Sequence, residues 1–284
     1  MIKPVSPYAA LTITTAERGK VLVISDTHIG WEASLAENKI HIPSQTGKLL
    51  KKLEEIIQIE NPECLIILGD VKHTIEKIGL EEWREVPRFL ENVKRIVKDV
   101  VIIPGNHDGD INILIPEGVK LEPQQGIIID DIGLFHGHAW PDIRILNCRT
   151  MIIGHIHPIV VFRDCMGYKV TSQIWVKAPC NKEILVKAMF KKYKIKFKSD
   201  EEIDRILIDE FSIKPKVENL IVMPSFNDFL GGRAVNRISI SKDEALKDFM
   251  GPILRSGSIS IEEAEIYLLD GTFLGMLKQL TTIN

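Results

Sequence analysis

At 284 residues, with 45% apolar and 26% charged side chains, the chain has the composition of a folded globular protein, which excludes a disordered or fibrous one. Its formal charge of −3 excludes a generally basic nucleic-acid binder while leaving room for a local basic patch. No run approaches the roughly 18 apolar residues of a membrane span, and the start Met1-Ile-Lys-Pro-Val-Ser-Pro7 lacks the apolar core of a signal peptide, so a cytoplasmic protein without a membrane partner is expected.

A strand over residues 11–14 precedes the apolar run Val21-Leu-Val-Ile24, which ends in Ser25-Asp-Thr-His28. Residues 44–59 set Leu49, Leu50, Leu53, Ile56 and Ile57 opposite Lys51, Lys52, Glu54 and Glu55, the pattern of an amphipathic helix that stops near Asn61-Pro62. Cys64-Leu-Ile-Ile-Leu68 is the next strand and ends in Gly69-Asp70. A helical region over residues 80–98 follows, in which Pro87 is expected to kink the helix or open a new one. The third strand runs through Val101-Val-Ile-Ile-Pro-Gly-Asn-His-Asp108. Strands alternating with helices over short connections predict parallel pairing with right-handed crossovers.

From about residue 118 the pattern changes to short apolar runs at 126–129, 133–135, 150–153, 160–162, 168–171 and 174–176, which predict a mostly antiparallel meander. Two of them end in histidine, at Phe135-His-Gly-His138 and Ile153-Gly-His-Ile-His157. Residues 181–209 read as helical and lysine-rich, residues 220–223 as a strand before a glycine-bearing loop, and the tail as a hairpin around Asp270-Gly271. Cys64, Cys148, Cys165 and Cys180 lack the close spacing of a thiolate zinc site or a disulfide scaffold, so reduced thiols are expected.

The chemistry gathers at strand ends. Of eight histidines, His28, His107, His136, His138, His155 and His157 directly follow apolar runs, as do Asp26, Asp70 and Asn106. Open α/β sheets present ligands beyond the carboxyl ends of their strands, so five such ends predict one metal site. Carboxylate, imidazole and amide oxygen without thiolate suit manganese, iron or zinc better than a calcium or magnesium cage. The donors exceed the needs of one ion, and two ions bridged by a carboxylate are the arrangement used for displacement at phosphorus. Two divalent ions outweigh Asp26, Asp70 and a hydroxide, so the site keeps positive charge for a phosphate oxyanion.

The order Asp-x-His, Gly-Asp, Gly-Asn-His-Asp, His-Gly-His and Gly-His-x-His over residues 21–157 resembles the calcineurin-like metallophosphoesterase superfamily. The resemblance implies an α/β fold, a four-layer αββα sandwich of two mixed sheets flanked by helices. It implies that Asp26, His28 and His157 hold one divalent ion and Asn106, His136 and His155 the other, with Asp70 bridging them. Mn²⁺ is the first expectation, with Fe, Zn or Ni as other fits. It also implies that a metal-bridging hydroxide attacks phosphorus while His107 protonates the leaving oxygen, its ring oriented by Asp108. The chain is expected to be a single domain over residues 1–284, with a metal-site core at 21–157 and strands and rim loops at 158–284.

A narrower resemblance lies in Gly69-Asp-Val-Lys-His73, in the loop from Met223-Pro-Ser-Phe-Asn-Asp-Phe through Arg233 to Asn236, and in Leu269-Asp-Gly-Thr-Phe273. These look like the archaeal and bacterial ICC-like phosphoesterases, whose bacterial members are linked to a DNA ligase and helicase. A phosphodiesterase acting on DNA or nucleotides is the implied reading, with ligase and helicase as implied DNA-repair partners. Lys72, His73, His138, Asn227 and Arg233, with Arg237, are the expected substrate rim. The lysine-rich segment 187–198 suits a polyanion groove or a solvated amphipathic face. Two alternatives stay open: a small-molecule phosphomonoesterase or nucleotide pyrophosphatase, and a binding scaffold of the same fold that has lost catalysis.

Overall fold

Strands of alternating allegiance build the first sheet. In Gly19–Ile24 (β3) Val21 and Val23 point to one side and Leu22 and Ile24 to the other, and Cys64–Leu68 (β4) and Asp99–Ile103 (β5) divide in the same way. Both faces are buried, as expected of parallel strands covered by helices on one side and a second sheet on the other. This architecture comes from a computed structural model that describes residues 1–37, 39–237 and 251–281.

The first sheet has the order β1(Ile2–Pro4), β2(Ala10–Thr15), β3, β4, β5, β6(Val119–Leu121). Its four members from β3 onward are parallel, and the register pairs Ile24 with Ile67 and Ile67 with Ile102. The polar residues after these strands therefore emerge side by side. After the short helix α1(Glu32–Glu37), helices α2(Thr46–Glu60) and α3(Leu80–Lys94) cover the outer face through Leu49, Leu53, Ile56, Val86, Phe89, Leu90 and Val93.

The second sheet is mixed. Its main path runs β13(Arg233–Ala234), β10(Pro158–Arg163), β11(Lys169–Pro179), β12(Asn219–Val222), β9(Thr150–Ile153), β8(Ile132–Leu134), β7(Ile127–Ile129), with β14(Glu265–Leu268) and β15(Phe273–Met276) paired beyond β11. Here β8, β9 and β12 are mutually parallel, so the ends of β8 and β9 come together. Between the sheets Val21, Val23, Ile66, Leu68 and Val101 meet Ile132, Leu134, Ile152, Trp175 and Met223. Helices α4(Lys182–Tyr193) and α5(Asp200–Asp209) pack on the remaining face through Leu185, Met189, Phe190, Ile203 and Leu207. Four layers result: helices, sheet, sheet, helices.

Several elements differ from the sequence expectation. Pro87 lies inside one continuous helix instead of opening a new one. The region 181–209 divides at Lys194, which takes a left-handed conformation at φ 57°. The runs at 168–171 and 174–176 merge in the eleven-residue β11. The meander includes parallel pairs because β9 is a partner of both β8 and β12. In the lysine-rich segment, Phe190 is fully buried, Phe197 packs edge-on against it, and the Tyr193 hydroxyl donates to the Pro141 carbonyl at 2.6 Å. Of its aromatics only Phe190 faces inward, while Tyr193 and Phe197 stay exposed at 39% and 37%. No helix among the described residues is long and apolar enough to cross a membrane.

Candidate metal centre

Five turns converge beyond the strand ends, and their side chains fall into two touching groups. Asp26, His28 and His157 form one, and Asp70, His136 and His155 the other, each with donor atoms within 4.8 Å of one another. Asp70 Oδ2 lies between them, 3.4 Å from His28 Nε2 and 3.2 Å from His136 Nε2. Across the first group His157 Nε2 is 3.1 Å from Asp26 Oδ1.

The backbone is bent to reach this arrangement. Asp26, His28, Asp70, His155 and His157 all have positive φ, between 42° and 71°, a conformation that non-glycine residues hold only when the surroundings enforce it. Main-chain hydrogen bonds do so: Asp26 N donates to Gly69 O at 3.1 Å and His28 N to Asp70 O at 2.8 Å. The His155 amide donates to both Asp26 oxygens at 3.2 Å. Glycines leave room for the ligands. A Cβ at Gly105 would collide with the Asp70 carboxylate and amide, and one at Gly69 with the His136 ring.

Electrostatics set the donors' charge. Burial works to raise the Asp70 carboxyl, but the His136 and His28 rings outweigh it and hold it well below its usual range. Asp26 is likewise lowered, burial being overcome by His157 and His136. Burial works to lower His136, yet Asp70 and Asp26 carry it up to about 10. Burial and the His136 charge bring His155 down to about 3. Two buried, ionised carboxylates thus draw positive charge toward the gap between them.

The residues fit divalent ions on a separate observation. Asn106 Oδ1 is buried without a hydrogen-bond partner, and His28 Nε2, His136 Nε2 and His157 Nε2 are buried with no contact in hydrogen-bond geometry beyond their approach to the Asp70 and Asp26 carboxylates, whereas buried polar atoms are otherwise almost always paired. The opposite ring nitrogens of two of these histidines are engaged. His136 Nδ1 meets the Leu68 carbonyl at 2.8 Å and His28 Nδ1 meets His73 Nδ1 at 3.2 Å. A second contact of this kind fixes which nitrogen is left for a metal.

His107 stands beside the ligands, its Nε2 3.9 Å from Asp70 Oδ2 and its side chain 21% exposed. Its Nδ1 contacts the main-chain carbonyl of His73. Asp108 departs from the expected role of ring orienter. Its carboxylate accepts from Val71 N at 2.8 Å, Lys72 N at 3.2 Å and Gly105 N at 2.8 Å, so it ties the ends of β4 and β5 together, and the His73 carbonyl is what holds the His107 ring. Burial, and then Asp70, push Asp108 up to about 6.

The expected rim divides. His73 joins His28 and His107 in a third cluster, and burial followed by its two histidine neighbours lowers it to about 4. His138 packs near His136 and His155, ring centroids 5.4 Å and 6.2 Å away, and is also lowered to about 4, chiefly by burial. Arg233 is exposed, and its amide donates to the His157 carbonyl at 3.0 Å. Lys72 and Asn227 do not face this space. Lys72 is fully buried with its ammonium on the Thr74 carbonyl. Asn227, also fully buried, donates to Thr27 O at 2.9 Å and accepts from Phe229 N at 3.0 Å, clamping its loop to the Asp26 turn. Arg237 turns its guanidinium to Val161 O at 3.3 Å.

Two features escaped the sequence reading. Glu82 is buried at 1% exposure and accepts from His73 N at 2.9 Å, Thr74 N at 2.6 Å, Thr74 Oγ1 at 2.7 Å and Gly79 N at 2.7 Å. It holds the loop whose carbonyl grips His107, and its only sequence signal is a glutamate three residues after Gly79, at the start of a helix. The other is the room made by the glycine directly before three ligands, in Gly69-Asp70, Gly105-Asn106 and Gly154-His155, residues that the motifs contain without a role assigned to them.

A family model for calcineurin-like phosphoesterases matches residues 19–210. Among solved structures, nuclease MPE of Pseudomonas putida superposes with a TM-score of 0.50 at 18% identity, covering 95% of this chain and 98% of that one. Yfce, a phosphoesterase from E. coli, gives 0.34 at 18% identity, covering 51% and 73%. At this identity the likeness to MPE is one of fold. No curated protein sequence matches the chain significantly.

Proposed function

The chain belongs to the calcineurin-like phosphoesterase family and is a metal-dependent hydrolase, and we propose that it cleaves phosphodiesters, in single-stranded DNA or related nucleotides, at a two-ion centre. The observation that carries this is the position of Asp70 Oδ2 between the His28 and His136 groups, a position from which one carboxylate would serve both ions. Asp26, His28 and His157 would hold one, Asn106, His136 and His155 the other; Mn²⁺ suits this donor set, with Fe, Zn or Ni as rivals. Such ions supply a water nucleophile at neutral pH and neutralise the phosphate's charge.

The chain's own residues do the rest. His107, held at Nδ1 by the His73 carbonyl, presents Nε2 toward the centre and donates a proton to the leaving oxygen, help typically worth about 10²–10⁴-fold. Asp108 and Glu82 fix the turns that carry His107 and the His73 carbonyl. The core shared by both sheets supports a reading of the chain as one domain. The fold shared with the nuclease of Pseudomonas putida and the resemblance to ICC-like enzymes favour a nucleic-acid substrate, and the same resemblance makes a DNA ligase and helicase candidate partners.

A substrate panel tests this. With Mn²⁺ present, bis-nitrophenyl phosphate and single-stranded DNA are expected to be hydrolysed faster than nitrophenyl phosphate or duplex DNA. A monoester hydrolysed alone would overturn the preference for diesters.

A further inference from the structure

Beside the metal centre lies an aromatic pair that the chemistry above does not use. Trp31 and Phe229 stack with ring centroids 5.9 Å apart and planes 15° from parallel. Neither ring joins the three apolar clusters that make up the core. Phe229 is 44% exposed, and the Trp31 indole nitrogen is buried without a hydrogen-bond partner. A tryptophan whose donor is left unsatisfied gains nothing from that placement, so its ring face is what the site retains.

Both rings are built onto the ligand turn. Trp31 is three residues past His28, and its amide donates to the His28 carbonyl at 3.2 Å. On the other side Phe226 N donates to Ser25 O at 2.7 Å, Ser225 Oγ to Asp26 O at 3.0 Å and Asn227 Nδ2 to Thr27 O at 2.9 Å, which fixes Phe229 two residues on. Lys52 anchors the same loop to α2 through Phe226 O at 2.7 Å and Asp228 Oδ1 at 2.8 Å. The Trp31 main chain therefore lies within about 10 Å of that of His28 by the reach of three residues, and these bonds hold the Phe229 loop to the same turn.

The exposed Lys48 sets its ammonium 5.3 Å from the Phe229 centroid. A ring face that attracts an exposed cation is one that a flat ligand can reach. The centre itself recognises only a phosphate, and an aromatic step with an exposed cation beside it recognises what a phosphate carries in a nucleotide: a base with a π-face and a further phosphate.

We propose that Trp31 and Phe229 form a stacking platform for the nucleobase next to the scissile phosphate, with Lys48 meeting the adjoining phosphate. The platform rests on the reading of the centre as a phosphodiesterase and selects an unpaired strand, because a base stacked inside a duplex shows no free face.

The test measures binding, by fluorescence anisotropy, and cleavage of a labelled ten-residue oligothymidylate and of an abasic oligomer of the same length, using Mn²⁺-loaded protein. Wild type is expected to prefer the thymidylate. Phe229→Ala should shrink that preference by about 5- to 150-fold, Phe229→Tyr should restore it, and Lys48→Ala should weaken both oligomers alike. Competition by thymidine monophosphate as effective as by the oligomer would assign the base to a free nucleotide instead of a strand. If wild type binds the two oligomers equally, or Phe229→Ala leaves the preference intact, the platform is overturned whether or not DNA is cut. If the preference depends on Phe229 while no oligomer is cleaved, the platform stands and the nuclease reading falls.

Discussion

Replacing Glu82 with alanine removes a single buried carboxylate and four hydrogen bonds, to His73 N, Thr74 N, Thr74 Oγ1 and Gly79 N. Each bond to a charged group is worth about 1.5–3 kcal/mol, but the simple sum overshoots because the freed loop relaxes and reaches water. The donors left behind are neutral, each costing about 1–3 kcal/mol where it stays buried, so with the loop relaxed a net loss of about 3–5 kcal/mol is expected here. Glu82→Gln keeps one acceptor oxygen and should lose about 1–2 kcal/mol. Activity should fall further than stability explains, since the loop supplies the His73 carbonyl that holds His107, and a displacement of about 1 Å at a reacting group lowers turnover about 10²-fold. Urea unfolding of the metal-free protein and diester hydrolysis by protein that remains folded measure the two effects. A Glu82→Ala protein within about 0.5 kcal/mol of wild type, the usual range of a featureless surface substitution, and with full turnover would refute the reasoning.

Gly105→Ala drives a Cβ into the Asp70 carboxylate and amide and should weaken metal binding by about 10- to 100-fold; Mn²⁺ titration reads this, and unchanged affinity would show that Asp70 has room to move. Asn227→Ala should lower stability by about 1–3 kcal/mol through its lost bonds to Thr27 and Phe229, measured by urea unfolding, whereas a substrate-facing Asn227 would change KM alone. Chelation should abolish turnover and lower the thermal midpoint, because metal at 100 times its Kd adds about 2.7 kcal/mol to the folded state. An unshifted midpoint in calorimetry would contradict the binding of ions by these donors.

The positions of Asp26, His28, Asp70, Asn106, His136, His155 and His157 were legible because each follows an apolar run, and a parallel register carries such ends to one edge. The roles of their neighbours were not. Asp108 follows His107 directly, which suggests a pair, yet adjacent residues at a turn point different ways, and its oxygens meet the amides of Val71, Lys72 and Gly105. Lys72 reads as a rim cation because lysines are seldom buried, but here the chain folds over it and offers the Thr74 carbonyl. Asn227 lies about 200 residues from Thr27, so nothing local could reveal their bond. The Trp31–Phe229 stack is equally long-range. Pro87 lacks an amide hydrogen and so suggests a kink or a new helix start, and of these the new start does not occur, because the packing of Val86, Phe89 and Leu90 carries one helix through it.

The central claim is that a two-ion centre hydrolyses phosphodiesters with His107 as the proton donor. Its most direct test is bis-nitrophenyl phosphate turnover by wild-type and His107→Ala proteins of equal, measured Mn²⁺ content. The account predicts about two ions per chain in both proteins and turnover about 10²–10⁴-fold lower in the variant. Equal turnover in the two, or no diester hydrolysis by the fully loaded wild type, would contradict it.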